Sequence, residues 1–122
     1  MSLDLADFNA RWLKAWSDKD VERLLAFYAE DCRYFDPSVP QGLTGHEALR
    51  QYLTTLFASL PATDYRPEEI WPTAEGFCGR WYCVVGDDPA APPMMRGFDL
   101  VILKGDRIAL NEVYVHMLNA PA

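Results

Sequence analysis

Apolar residues recur at a helical interval through Leu5, Phe8, Trp12 and Trp16, with acids and Lys14 between them. This spacing predicts an amphipathic helix entered near Asp4. Ser17-Asp18-Lys19-Asp20 is a polar break containing two good caps, and Val21, Leu24, Leu25 and Tyr28 then mark a second helix packed on the same core. After Ala29-Glu30-Asp31, the run Cys32 to Phe35 predicts a short strand. Asp36-Pro37 ends it, because proline lacks a backbone donor and biases the residue before it toward extended geometry. A turn-rich segment leads to Thr44-Gly45-His46-Glu47, which matches the capping-box pattern. An apolar stripe through Leu49, Tyr52, Leu53, Leu56 and Leu60 continues it as a third helix stopped by Pro61.

From Tyr65 onward the period changes. Tyr65 to Trp71, Phe77 to Val85, Met94 to Leu103 and Arg107 to Leu118 read as strands separated by turn-forming residues. Lys104-Gly105-Asp106 is tight enough for a hairpin, and the proline-rich loop Gly86 to Pro93 joins another antiparallel pair. Helices followed by a meander predict an α+β fold, with the helices laid on one face of a curved antiparallel sheet.

With 122 residues, half of them hydrophobic, the chain suits a single domain over residues 1–122 with one real core. A formal net charge of −7 with no run of Lys or Arg argues against nucleic acid and anionic membrane surfaces as partners. No apolar stretch approaches the roughly 20 residues of a membrane span, and the first residues carry acids where a signal peptide needs positive charge, so a cytoplasmic location is the default expectation. Cys32, Cys78 and Cys83 lie in apolar runs, where free cysteine acts as a small hydrophobe, and reduced thiols are expected. His46 and His116 have no close pairing with Cys or carboxylate, which predicts no metal site.

Two acids stand where apolar residues are expected. In Phe98 to Leu103, alternation puts Asp99 on the side of Val101 and Leu103, a face that is otherwise apolar. A lone carboxylate there costs several kcal/mol or takes up a proton. Asp36 follows Tyr34-Phe35 and precedes Val39, and apolar surroundings of this kind push a carboxyl upward toward values useful for a general base. One acid ionised as base and the other protonated as donor suits proton transfer next to a carbonyl. Each also has a structural reading: a turn opener for Asp36, and an acid reached by water or paired with Arg96 for Asp99. His116 and Glu112 share one parity of the last strand, opposite Asn111, Val113 and Val115.

The chain resembles the nuclear transport factor 2-like superfamily, and within it the SnoaL-like proteins and ketosteroid isomerases. The resemblance runs from Arg11 to Tyr52 through Trp16-Ser17-Asp18-Lys19-Asp20, Phe35-Asp36-Pro37 and Thr44-Gly45-His46-Glu47-Ala48-Leu49-Arg50, and returns at Arg96-Gly97-Phe98-Asp99 and Gly105-Asp106-Arg107-Ile108. It implies a cone-shaped domain in which three N-terminal helices and a curved, mostly antiparallel sheet enclose a deep apolar pocket, with a homodimer across the outer face of the sheet. By the same resemblance Asp36 falls on the isomerases' general base and Asp99 on their protonated oxyanion-binding acid. Trp12 stands where they carry an oxyanion-hole tyrosine, Tyr28 fits a second tyrosine of their network, and Leu53 replaces a third.

The resulting expectation is a small-molecule enzyme working by cofactor-independent acid and base catalysis, of isomerase, cyclase or dehydratase type. Asp36 and Asp99 are its catalytic pair, and Trp12, Tyr28, Leu53, Asn111, Val113 and Val115 shape the cavity for an apolar, carbonyl-bearing substrate. A non-catalytic ligand-binding or dimeric accessory module is the competing reading on the same scaffold. An epoxide-opening enzyme is disfavoured, because no Asp-Arg-Asp set assembles from Asp36, Arg80 or Arg96 and Asp99.

Overall fold

The computed structural model describes residues 3–118. Helix α1 spans Leu5–Asp18, capped by the Asp4 side chain accepting from the Asp7 amide, and a short α2 follows at Val21–Leu25 with Asp20 as its cap. Strands β1 (Tyr28–Asp36) and β2 (Val39–Thr44) come next, then α3 (His46–Ser59) and the meander β3 (Thr63–Pro72), β4 (Gly76–Val85), β5 (Met95–Lys104) and β6 (Arg107–Met117). The meander follows the period-2 reading closely.

The six strands form one sheet in the order β2-β1-β6-β5-β4-β3, with β1 and β6 parallel and every other pairing antiparallel. The expected cone is not what this chain builds, because the sheet is open and ends at β2 and β3, which do not pair with each other. Both edges carry prolines, Pro40 on β2 and Pro67 and Pro72 on β3. Proline cannot donate to a ladder, so these strands suit edges and resist further pairing.

The helices also differ from the expected N-terminal trio, since two precede the sheet and the third follows the β1–β2 hairpin. Tyr28 continues the helical spacing of Leu24 and Leu25, yet it opens β1. Its partner is Ile108 on β6, whose amide donates to the Phe27 carbonyl, so sheet pairing overrides the local period. Thr44 does not cap α3. It is committed to the ladder opposite Arg33, and Gly45 at φ 91° takes the cap position with no side-chain hydrogen bond.

The core lies between α1, α3 and the inner face of the sheet, where Phe8, Trp12, Leu24, Tyr28, Leu49, Leu53, Phe77 and Val101 are fully buried or nearly so. Cys32 and Cys83 are buried and Cys78 half-buried, and all three are unpaired. Burial raises the Cys32 thiol and pushes that of Cys83 up to about 11, so neither favours the thiolate. No described helix is long and apolar enough to cross a membrane.

Candidate active site

An apolar pocket of about 320 Å³ lies between the helices and the inner face of the sheet. Leu13 and Trp16 of α1, Tyr52 and Leu56 of α3, and Tyr65, Trp81, Val113 and Val115 of the meander line it. Its two acids are Asp36 at the end of β1 and Asp99 on β5.

Asp36 sits where β1 turns into β2 through Pro37-Ser38. Its Oδ1 accepts from the Ser38 and Val39 amides at 2.8 and 3.1 Å, which makes the carboxylate the fastening of its own turn. Its Oδ2 accepts from the Tyr34 and Tyr52 hydroxyls, both at 2.7 Å. Tyr34 lies two residues back on the same strand face, and Tyr52 reaches across from α3. A carboxylate offers about four lone-pair positions, and all are taken. The apolar setting expected for Asp36 is therefore replaced by a half-buried, fully bonded one. Burial, reinforced by the neighbouring carboxylate, raises the Tyr34 and Tyr52 hydroxyls, which keeps them protonated as donors.

Asp99 is only 3% exposed. Its Oδ1 accepts from Trp81 Nε1 at 2.9 Å and its Oδ2 from Asn111 Nδ2 at 3.2 Å, leaving about one lone pair free on each oxygen. Burial pushes the carboxyl up to about 7, the Trp81 and Asn111 donors oppose this, and the charge on Asp36 adds to it. Asn111 is itself oriented. Trp12 Nε1 donates to the Tyr28 hydroxyl at 3.2 Å, and that hydroxyl donates to Asn111 Oδ1 at 2.9 Å, which turns the amide nitrogen toward Asp99.

Gly97 explains how Trp81 reaches the acid. The two are directly paired across β4 and β5, and a Cβ on Gly97 would collide with the Trp81 indole. Without that side chain the indole lies over the β5 backbone and its N–H meets Asp99, two residues further along the strand.

The structure thus brings Asp36, Asp99, Val113 and Val115 to one pocket. Trp12, Tyr28, Leu53 and Asn111 are buried outside its lining, three of them in the chain of hydrogen bonds ending at Asp99 and Leu53 in the core. His116 is exposed, beside Arg96, on the parity opposite the inward-facing Asn111 and Val113. Sequence reasoning did not identify Tyr34, Tyr52 and Trp81 as the acids' partners. Tyr52 reads as one more member of a helical stripe, and only the adjacent glycine hints at the Trp81 geometry.

An open mixed sheet with helices over one face and two acids in the intervening pocket defines an α+β small-molecule-pocket fold of the nuclear transport factor 2-like, ketosteroid isomerase-like kind. A SnoaL-like domain profile matches residues 9–111, and the chain belongs to that family. No curated protein matches it at the sequence level. Among solved structures it is similar to a ketosteroid isomerase-like protein from Catenulispora acidiphila in complex with trimethylamine, at 17% identity and TM-score 0.76, covering 92% of this chain and 86% of that one. A SnoaL-like protein of unknown function from Burkholderia thailandensis is similar at 15% identity and TM-score 0.77, covering 92% and 94%. TerC co-crystallized with polyporic acid is similar at 12% identity and TM-score 0.73, covering 91% and 90%.

Proposed function

We propose that the protein is a cofactor-independent acid–base enzyme acting on a small, mostly apolar molecule, of the isomerase or lyase type found among ketosteroid isomerase-like proteins. The observation that carries this reading is Asp99: a buried carboxyl, lining an apolar pocket, with free lone pairs and a titration near neutrality. Around pH 7 such a group exists in both forms, so it can take a proton and return one without a large driving-force penalty. In an isomerisation its carboxylate accepts a proton from a substrate C–H, and the C–H electron pair moves into the substrate's π system. The resulting carboxylic acid then delivers the proton to a second carbon.

Asp36 has the other role in this proposal. With all its lone pairs engaged it has no free position for a substrate proton, and it holds Tyr34 and Tyr52 as a fixed polar end of the pocket. Support for small-molecule work comes also from two fold relatives solved with small molecules, trimethylamine in one and polyporic acid in the other.

Hydrogen exchange tests the assignment. In D2O, a panel of small ketones and imines is followed by NMR for loss of α-hydrogen signals. Asp99→Asn should slow protein-catalysed exchange about 10²–10⁴-fold, and exchange at the wild-type rate by that variant contradicts the assignment.

The outer sheet face supports a homodimer in the same proposal. Trp71, Phe98 and Tyr114 are 38%, 40% and 60% exposed there, with Trp71 and Phe98 in ring contact, and aromatic residues are the type that interfaces bury. Phe98→Glu should convert a dimer to a monomer by light scattering; an unchanged mass contradicts this interface.

A further inference from the structure

The pocket's charge and ring content narrow the class of molecule it takes. Among the residues that line it, two are acids and none is Lys, Arg or His. Five are aromatic, and their rings run in one unbroken arc. Tyr52 meets Tyr34 at 5.9 Å between centroids, Tyr34 stacks on Trp16 at 6.2 Å, Trp16 meets Tyr65 at 6.0 Å, and Tyr65 meets Trp81 at 5.1 Å. The arc begins at the ring whose hydroxyl bonds Asp36 and ends at the ring whose N–H bonds Asp99. An aromatic lining with a carboxylate at each end and no cation in the wall favours positive charge over negative in the pocket.

The hydrogen-bonding inventory points the same way. Tyr34, Tyr52 and Trp81, three of the polar donors in the wall, already donate to protein carboxylates. Asp99 retains accepting capacity and no donor unless protonated. Trp12, where the resembling isomerases carry an oxyanion tyrosine, gives its N–H to Tyr28 and does not line the pocket. The Tyr65 and Ser38 hydroxyls remain as lining donors, against two carboxylates, so a ligand that brings its own donors or positive charge fits this supply best.

We infer that the pocket selects a small organic cation, an ammonium or iminium group on an apolar body, seated against the aromatic arc and neutralised by Asp99. This deepens the proposed function and rests on its assignment of the pocket as the substrate site. Proton transfer from such a ligand needs no oxyanion donor: removing a proton next to an iminium carbon sends the C–H pair into a new C=C bond and the C=N pair onto nitrogen. The product is a neutral enamine, and no oxyanion forms. The cavity volume lies at the small end of ligand pockets, so the body is compact.

The test compares benzyltrimethylammonium with its neutral carbon isostere, neopentylbenzene, by NMR titration of the Trp81 indole N–H signal, with calorimetry at pH 7 in two buffers of different ionisation enthalpy. The expected result is at least tenfold tighter binding of the cation. About half a proton should be released per ligand, because the cation favours the Asp99 carboxylate over its acid. The other titratable groups facing the pocket are Asp36 and the three tyrosines Tyr34, Tyr52 and Tyr65; the tyrosines stay protonated at this pH and are not expected to contribute, and the Asp99→Asn variant separates the release at Asp99 from any at Asp36. Asp99→Asn should abolish both the preference and the release. Tyr65→Leu, which keeps both acids and interrupts the arc, should weaken cation binding several-fold more than binding of the isostere, and serves where the first variant melts early. Equal or tighter binding of the isostere overturns the substrate class and leaves the pocket as a ligand site, whereas binding of neither probe overturns the class and counts against the pocket itself. The exchange experiment with Asp99→Asn fails or succeeds independently of both.

Discussion

Asp36 and Asp99 line the same pocket and present the same functional group, yet their surroundings differ in every respect that matters for chemistry. Asp36 is half-buried at a turn and holds four hydrogen bonds, two from backbone amides that it fastens and two from tyrosines that it orients. Asp99 is almost fully buried and holds one donor on each oxygen, Trp81 at 2.9 Å and Asn111 at 3.2 Å. The first is rich in donors and the second is short of them. Burial without full compensation makes a carboxyl titrate near neutrality, while full compensation ties one up, so the environment decides which acid is free to move a proton.

The largest expected effect of breaking this contrast is at Asp99. Its folded value of about 7 is raised above the ordinary carboxylate value of 3.8, so between these limits the folded state keeps a proton that the unfolded chain has lost. Stability should therefore be fully present below about pH 4, fall as pH rises toward 7, and level off above. Asp99→Asn removes this term. The amide leaves one of the two donors, Trp81 or Asn111, without an acceptor, so the variant's absolute stability also carries that loss. Denaturant melts should show the variant's stability free of the decline between about pH 4 and pH 8; a parallel decline in both proteins contradicts the reading.

A smaller effect is expected from the glycine that lets Trp81 through. Gly97→Ala places a methyl group against the indole and should cost about 1–3 kcal/mol by thermal or chemical melting. It should also move the Trp81 N–H resonance as the bond to Asp99 loosens. An unperturbed resonance with full stability shows that the indole position does not depend on Gly97.

The smallest effects belong to the saturated acid. Asp36→Asn keeps an accepting oxygen but leaves other donors short, and about 1–3 kcal/mol of stability should be lost. Tyr52→Phe withdraws one donor only and should cost about 0.5–1.5 kcal/mol. Both should lower proton-exchange activity less than Asp99→Asn does. If Asp36→Asn abolishes exchange while stability is unchanged, Asp36 rather than Asp99 is the group that carries the proton.

The strand order of the meander and the two acids are readable in the chain before folding; the contrast between the acids is not, since the sequence points to Asp36 as the base and to Asp99 as the donor. The meander announces itself through period-2 runs, and Asp99 stands out as an acid on an apolar strand face. β2 escapes notice because Pro40-Gln41-Gly42 has turn chemistry, tolerated here on an edge strand. β1 hides its start because Tyr28 completes a helical stripe that only pairing with β6 interrupts. Asp36 reads as an acid in apolar company because its neighbours in sequence are Tyr34 and Phe35. The hydroxyl of Tyr34 and a second tyrosine 16 residues away turn that company polar. An open rather than closed sheet depends on which strands become edges, a property of the whole topology that no local pattern states.

The most direct test of the account is the titration of Asp99 itself, followed through its side-chain carboxyl carbon by ¹³C NMR from pH 4 to pH 9, with Asp99→Asn to assign the signal. The midpoint is expected near 7, well above the ordinary carboxylate range, and should move upward when Asn111→Leu withdraws its donor. A midpoint near 4, unchanged by loss of Asn111, contradicts the claim that Asp99 is the group poised to carry the proton.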